Sequence, residues 1–158
     1  MRIDGERLSR QTEDRRTAVR SRAIGVLYQQ ANLVGHLSID ANVAIVQRLA
    51  GAGRDATRRR HELLERCGVA RRAHARPAQL SGGELARAGL AVALANDPSV
   101  LLADEPTGEL DEATADQIVE LLREHAARGA AVVVVTHSRD AAALADREIR
   151  LRDGKVAA

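Results

Sequence analysis

The sequence predicts an α/β fold with a parallel sheet. Three apolar runs carry that expectation: Ile24 to Tyr28, Val100 to Ala103 and Ala130 to Val135. Each is short and bounded by polar or chain-breaking residues, the pattern of strands buried on both faces. Between the second and third, Glu112 to Arg128 has helical periodicity, with Ile118, Leu121, Leu122 and His125 on one face and Gly129 as its stop.

The second run is the most informative. Val100-Leu101-Leu102-Ala103 leads straight into Asp104-Glu105, and Pro106 and Gly108 then break the chain. Open parallel sheets gather ligands at the carboxyl ends of their strands. Two adjacent carboxylates there suit two roles, one beside a metal ion and one taking a proton from water. Read alone, the same residues equally describe an acidic turn that ends a strand.

The other elements follow in chain order. Ile3-Asp4-Gly5-Glu6 reads as a strand entering a turn, and Ser9 to Arg22 as a weak, charged helix; a solvated N-terminus is the alternative. Gln29 follows the first apolar strand, ahead of Asn32-Leu33-Val34-Gly35-His36. Ser38 opens a capped helix, Gly51-Ala52-Gly53 is a break, and Arg54 to Cys67 is amphipathic, with Leu63, Leu64 and Cys67 inward and Gly68 as terminator. Arg71 to Arg76 is a basic loop. His36 reads as a loop residue rather than a ligand, and His61 and His74 lack Cys or His partners at metal-ligand spacing and read as surface residues.

Ser81-Gly82-Gly83 precedes Leu85, Gly89 and Val92, which recur at helical spacing. The hydroxyl and the two glycines therefore fall at a helix N-terminus, where free N–H groups and the dipole favour an anion. The plain alternative is a common helix cap. Asn96-Asp97-Pro98 ends that helix. Ser138 to Ala145 is a short helix, and Asp153-Gly154 is a hairpin turn between Glu148–Leu151 and Val156.

Composition sets limits. At 158 residues the chain is the size of one domain. A net charge of +2 demands neither a nucleic-acid groove nor an acidic partner. Cys67 stands alone and forms no internal disulfide, in keeping with a reducing compartment. No apolar run approaches the roughly 18 residues of a membrane span, and no signal-peptide pattern opens the chain. Any link to a membrane is expected to pass through another subunit. Lys155 is the only lysine, and it lies between Gly154 and Val156. A phosphate-cradling P-loop needs Gly-Lys-Ser/Thr after a glycine-rich turn, so Lys155 cannot supply one.

Taken together, Gln29, Leu80-Ser81-Gly82-Gly83-Glu84, Val100 to Glu105, Leu110-Asp111 and His137 stand in an order and spacing that resemble the nucleotide-binding subunit of an ABC transporter. They match the Q-loop, signature motif, Walker B strand, D-loop and switch histidine. The wording from Ala103 to Asp111 looks most like the lipoprotein-release and macrolide-export branch. The resemblance implies a partial RecA-like P-loop NTPase core, with a parallel sheet and an inserted α-helical subdomain. Residues 1–35 and 96–158 would form the core and 36–95 the helical subdomain. It also implies an N-terminally truncated chain. The Walker A strand and loop are missing, which leaves Ala130 to Val135 as an unpaired sheet edge.

The resemblance implies roles as well. Asp104, with Gln29, holds Mg²⁺, and Glu105 is the general base on the attacking water. Gln29 and His137 complete the catalytic set. Ser81, Gly82, Gly83 and Asp111 meet ATP at the dimer seam. Glu84 departs from the commonest Gln of the motif. The implied function is an ATP-binding subunit that couples ATP binding and hydrolysis to transport, in the export direction, through a separate membrane subunit. Its partners are a second ABC ATPase subunit and a transmembrane permease, with no nucleic acid, and its place is the cytoplasmic face of the membrane. The chain alone is expected to be inactive. Two other readings stand beside this one: a non-hydrolysing half that lends its signature motif to another subunit's ATP, and a soluble ABC ATPase acting on nucleic acid or ribosomes.

Overall fold

Two left-handed residues shape the start of the chain. The computed structural model describes residues 2–29 and 33–157, and of Asp140 the backbone only. Strands β1 (Arg2–Ile3) and β2 (Glu6–Arg7) pair antiparallel across Asp4 and Gly5, at φ 49° and 77°. That is the hairpin geometry whose twist suits paired strands. Ile3 and Leu8 are buried against Val19 and Ala23 of helix α1 (Glu13–Ala23), so this stretch is packed rather than solvated. Thr12 caps α1 by accepting the Arg15 N–H. Acidic residues in its first turn and arginines in its last complement the helix dipole.

Strand β3 (Ile24–Leu27) follows directly. Helix α2 (Ile39–Leu49) starts at the Ser38 cap, and α3 (Ala56–Arg66) ends before Gly68 at φ 68°. Asn42 on α2 is buried. It accepts the Val34 N–H at 2.7 Å and donates to the carbonyls of Val34 (3.2 Å), Leu37 (3.4 Å) and Ser38 (2.9 Å). This one side chain replaces the missing ladder bonds of the 34–38 loop. The loop expected over Arg71 to Arg76 is present and is tied to α2. Short 3-10 turns at Ala70–Arg72 and Pro77–Gln79 flank it. The carbonyls of Ala73 and Ala75 accept the first N–H groups of α2, at 2.8 Å and 3.0 Å.

Helix α4 (Gly82–Ala93) is the central helix. Ala88 to Ala95 are all buried, where a one-sided stripe was expected, because β3, α2, α3 and α5 all pack around it. Strand β4 (Val100–Asp104), helix α5 (Glu112–Ala127) and strand β5 (Ala131–Val135) come next, then α6 (Arg139–Ala143). Strands β6 (Leu151–Arg152) and β7 (Lys155–Val156) form the expected hairpin, with Asp153 and Gly154 left-handed.

The sheet is parallel, in the order β3-β4-β5. Strands β4 and β5 are not buried on both faces as expected. Leu101 and Ala103 are sealed beneath the helices, while Leu102 is 40% exposed and Val133 and Val135 are 51% and 60% exposed. Helices α4 and α5 pack on one face, and α1 packs against Ile24 and Val100. Among the described residues nothing pairs with the outer edge of β5, and Leu151–Arg152 pairs with β7 instead. The expected unpaired edge is thus present. Among the described residues no helix is long and apolar enough to cross a membrane.

Candidate functional site

Parallel register sets the site. Leu27 lies opposite Ala103, and Asp104 opposite Val135, so three strands end along one edge. Asp104 is exposed at the tip of β4. Gln29 is two residues beyond Leu27 and exposed, at the same carboxyl edge. Asn32, the next residue of that motif in the sequence reading, lies outside the described residues.

Glu105 is the hub. Its backbone is left-handed, at φ 46°, a conformation that non-glycine residues adopt at a cost. Its N–H donates to the Val135 carbonyl at 2.8 Å, and its own carbonyl accepts the Gly108 N–H at 3.0 Å. This sharp turn swings the carboxylate over the end of β5. One oxygen accepts the His137 backbone N–H at 3.0 Å and lies 2.7 Å from His137 Nδ1. The other accepts the Thr136 hydroxyl at 3.1 Å. These bonds, the His137 side chain first, hold the Glu105 carboxyl below its ordinary range against the opposing effect of desolvation. It is therefore an ionised acceptor at neutral pH. The Glu105 side chain is 18% exposed and His137 86%, so the ring remains open to a ligand.

The second cluster lies where α4 and α5 begin. Ser81 caps α4: its hydroxyl accepts the Glu84 N–H at 3.3 Å, while the Glu84 carboxylate accepts the Ser81 N–H at 2.9 Å. The pair is a capping box. Arg72 reaches the other Glu84 oxygen at 2.8 Å. The Gly82 and Gly83 N–H groups remain as the free donors at this helix start, among the bonds described. Gly83 packs tightly, since a Cβ there would lie 3.0 Å from both Thr114 Cγ2 and Oγ1. Gly82 faces open space. Asp111 caps α5, taking the Thr114 N–H at 3.0 Å and the Thr114 hydroxyl at 2.7 Å. Its carboxyl is held below the usual range, chiefly by that hydroxyl.

The structure thus joins Glu105 to His137 directly and sets Asp104 opposite Val135 at the same strand ends, while Gln29 follows two residues after the end of β3. It sets Ser81, Gly82, Gly83 and Asp111 in a separate cluster knit through Thr114. Thr136, Thr114 and Arg72 were not among the expected site residues. The Ser81–Glu84 spacing was a readable capping signal; the long-range reach of Arg72 had none. His125 is buried as expected: its Nε2 lies 2.8 Å from the Pro98 carbonyl, and its Nδ1 faces Arg128 at 2.9 Å. Burial lowers its pKa first. Burial also pushes the Cys67 thiol up to about 11, which leaves it unreactive.

Among the described residues no three His, Cys, Asp or Glu side chains gather as a metal cage. Mg²⁺ needs none: it binds through one or two carboxylates, waters and substrate phosphates. The exposed Asp104 carboxylate is a ligand of that kind, and Gln29 is exposed beyond the end of β3.

A parallel-sheet edge carrying two carboxylates and a histidine, together with a separate serine- and glycine-led helix start, belongs to the class of α/β ATP-binding cassettes. The family model described as ABC transporter matches residues 1–108. An uncharacterised ABC transporter ATP-binding protein of Thermotoga maritima is 43% identical over 155 residues, 98% of this chain and 66% of that protein. The lipoprotein-releasing system ATP-binding protein LolD 1 of Rhodospirillum rubrum is 42% identical over 160 residues, 100% of this chain and 71% of that protein. The macrolide export ATP-binding/permease protein MacB of Hyphomonas neptunium is 39% identical over 98% of this chain and 24% of its own length. The dimeric ATP-binding cassette MJ0796, in a post-hydrolysis state bound to ADP and Pi, superposes with TM-score 0.84 at 36% identity, covering 98% of this chain and 69% of that one. This chain belongs to the ABC transporter ATP-binding family. It spans 66% and 71% of the length of the first two relatives.

Proposed function

We propose that the chain is ATP-binding machinery of an ABC exporter, working as one half of a cassette dimer against a membrane-embedded permease. In this reading residues 1–35 and 96–158 act as the core and 36–95 as the helical subdomain. The observation that carries it is the Glu105–His137 contact of 2.7 Å at the strand ends where Asp104 lies opposite Val135.

Each residue has a task that suits its chemistry. Glu105, ionised and fixed by three hydrogen bonds, orients an attacking water and accepts its proton. Its lowered pKa makes it a positioned acceptor rather than a strong base. His137 keeps an open ring that can donate to a terminal phosphate. Asp104 and Gln29 would hold Mg²⁺, whose charge offsets that of the phosphates. The Gly82 and Gly83 N–H groups offer an anion site at a helix start, directed at ATP held by the other cassette. Asp111 lies at the seam between the two. The export direction is supported by the resemblance to lipoprotein-releasing and macrolide-export proteins. That company also supports a site on the cytoplasmic membrane face and gives no ground for nucleic acid as a partner.

Within these 158 residues no Gly-Lys-Ser/Thr occurs. This favours a second reading for the chain as it stands: it completes a partner's ATP site and hydrolyses none itself. Phosphoryl transfer depends on positioning and charge, so a chain without the cradle should turn over little ATP.

A complementation assay tests the proposal. An intact bacterial ABC cassette whose own signature turn has been disabled is mixed with this chain, and MgATP turnover is followed. Turnover should rise and saturate as chain is added, while the chain alone stays inactive. A mixture no more active than the disabled cassette by itself would refute the proposal.

A further inference from the structure

The start of α4 carries an apparent contradiction. Its two free N–H donors, at Gly82 and Gly83, suit an anion, yet the next residue is the carboxylate Glu84. A negative charge one residue from the donors should repel an incoming phosphate. The geometry shows how this charge is handled. One Glu84 oxygen is committed to the Ser81 N–H at 2.9 Å, the other to Arg72 Nε at 2.8 Å. The Arg72 and Glu84 side chains are 50% and 21% exposed. Arg72 itself is not a free surface arm. It ends a turn whose following carbonyls, Ala73 and Ala75, hold the start of α2. The backbone that carries Arg72 is thereby held, and its guanidinium reaches α4 through the bond to Glu84.

We infer that Arg72 is a positioning residue for the Ser81–Gly83 turn: it neutralises Glu84 and steers that carboxylate onto the Ser81 N–H, leaving the Gly82 and Gly83 donors free for phosphate. The inference rests on the reading that this turn meets a partner's ATP. It also accounts for acidic Glu84 where the family's commonest residue is Gln. A glutamine would cap Ser81 without charge; a glutamate caps it as well but brings a negative charge beside the donors, which Arg72 offsets here.

The complementation assay described above reads the effect. Arg72→Ala leaves an unpaired charge beside the donors and should raise the KM for ATP about two- to fivefold, the scale of one exposed ion pair, with kcat little changed. Arg72→Lys should recover most of the loss. The decisive variant is the double substitution Arg72→Ala with Glu84→Gln. Removing the stranded charge should bring KM back towards the wild-type value. An unchanged KM in Arg72→Ala, or a double variant worse than either single one, would overturn the inference.

A second measurement stands apart from ATP. The bond from Arg72 is the first cause of the lowered Glu84 pKa, whose ordinary value is 4.5. The Ser81 amide of the chain alone, followed by NMR against pH, should therefore lose its carboxylate partner at higher pH in Arg72→Ala than in wild type. If wild-type chain gives no complementation, the reading of the turn fails and this titration decides the inference alone. Coincident titrations would then sink it.

Discussion

At the scale of single residues, the account turns on Glu105 and His137. Their adjacency was legible, since strand ends in a parallel sheet bring Asp104-Glu105 and Thr136-His137 to one edge. What the sequence did not reveal is how the carboxylate is held. Glu105 takes a left-handed backbone, and Thr136 and the His137 N–H add two bonds that no spacing rule announces. The pH consequence has a definite sign. A carboxyl held below its unfolded value stabilises the fold above that unfolded value, and the gain is lost as the pH falls through the lowered one. His137→Ala should move the Glu105 carboxyl titration, read by carbon NMR, up towards 4.5. The stability gap between the two proteins should be present at neutral pH and close in acid. An unmoved titration would mean that the ring contributes nothing to the hold on Glu105.

Elements are fixed by side chains that reach beyond them. Helix starts at Ser38 and Ser81 were readable, because short polar caps before apolar periodicity leave a clear trace. Burial was less readable. β4 and β5 look like fully buried strands because Val and Leu dominate them, yet one face carries exposed Leu102, Val133 and Val135. Apolar content alone cannot say whether a second layer covers a strand. Two substitutions test how the elements are locked. Asn42→Ala removes four hydrogen bonds around the 34–38 loop and should cost about 1–3 kcal/mol. Gly25→Ala drives a Cβ into the Ala93 carbonyl and to 2.8 Å from Pro98 Cγ, and should cost about 1–3 kcal/mol or more. Denaturant unfolding checks both, and wild-type midpoints would contradict this view of the packing. By the same geometry Gly82→Ala should fold normally, while Gly83→Ala must displace Thr114.

The molecule as a whole presents an open sheet edge and a bare apolar face. An unpaired edge strand with exposed valines is a template for association. Val133, half exposed at the middle of β5, is the point to test. Val133→Lys should reduce concentration-dependent association in light scattering while leaving the melting temperature within a few degrees, as surface substitutions do. Undiminished association would move the sticky surface elsewhere. At this scale the resemblance carried more than the physics: it implied an unpaired sheet edge at Ala130 to Val135, which composition and periodicity could not, and among the described residues nothing pairs there. The Arg72–Glu84 pair and the Thr114 contact with Gly83 lay beyond both, because each joins residues at least 12 positions apart through tertiary packing.

The central claim is that this chain offers its Ser81–Gly83 turn to ATP held elsewhere. Sedimentation velocity tests it most directly, using the chain mixed with an intact ABC cassette blocked in hydrolysis. The account predicts a one-to-one pair that forms with MgATP, is absent with ADP, and is lost in the chain's Ser81→Arg variant. Two separate sedimenting species in saturating MgATP would contradict it.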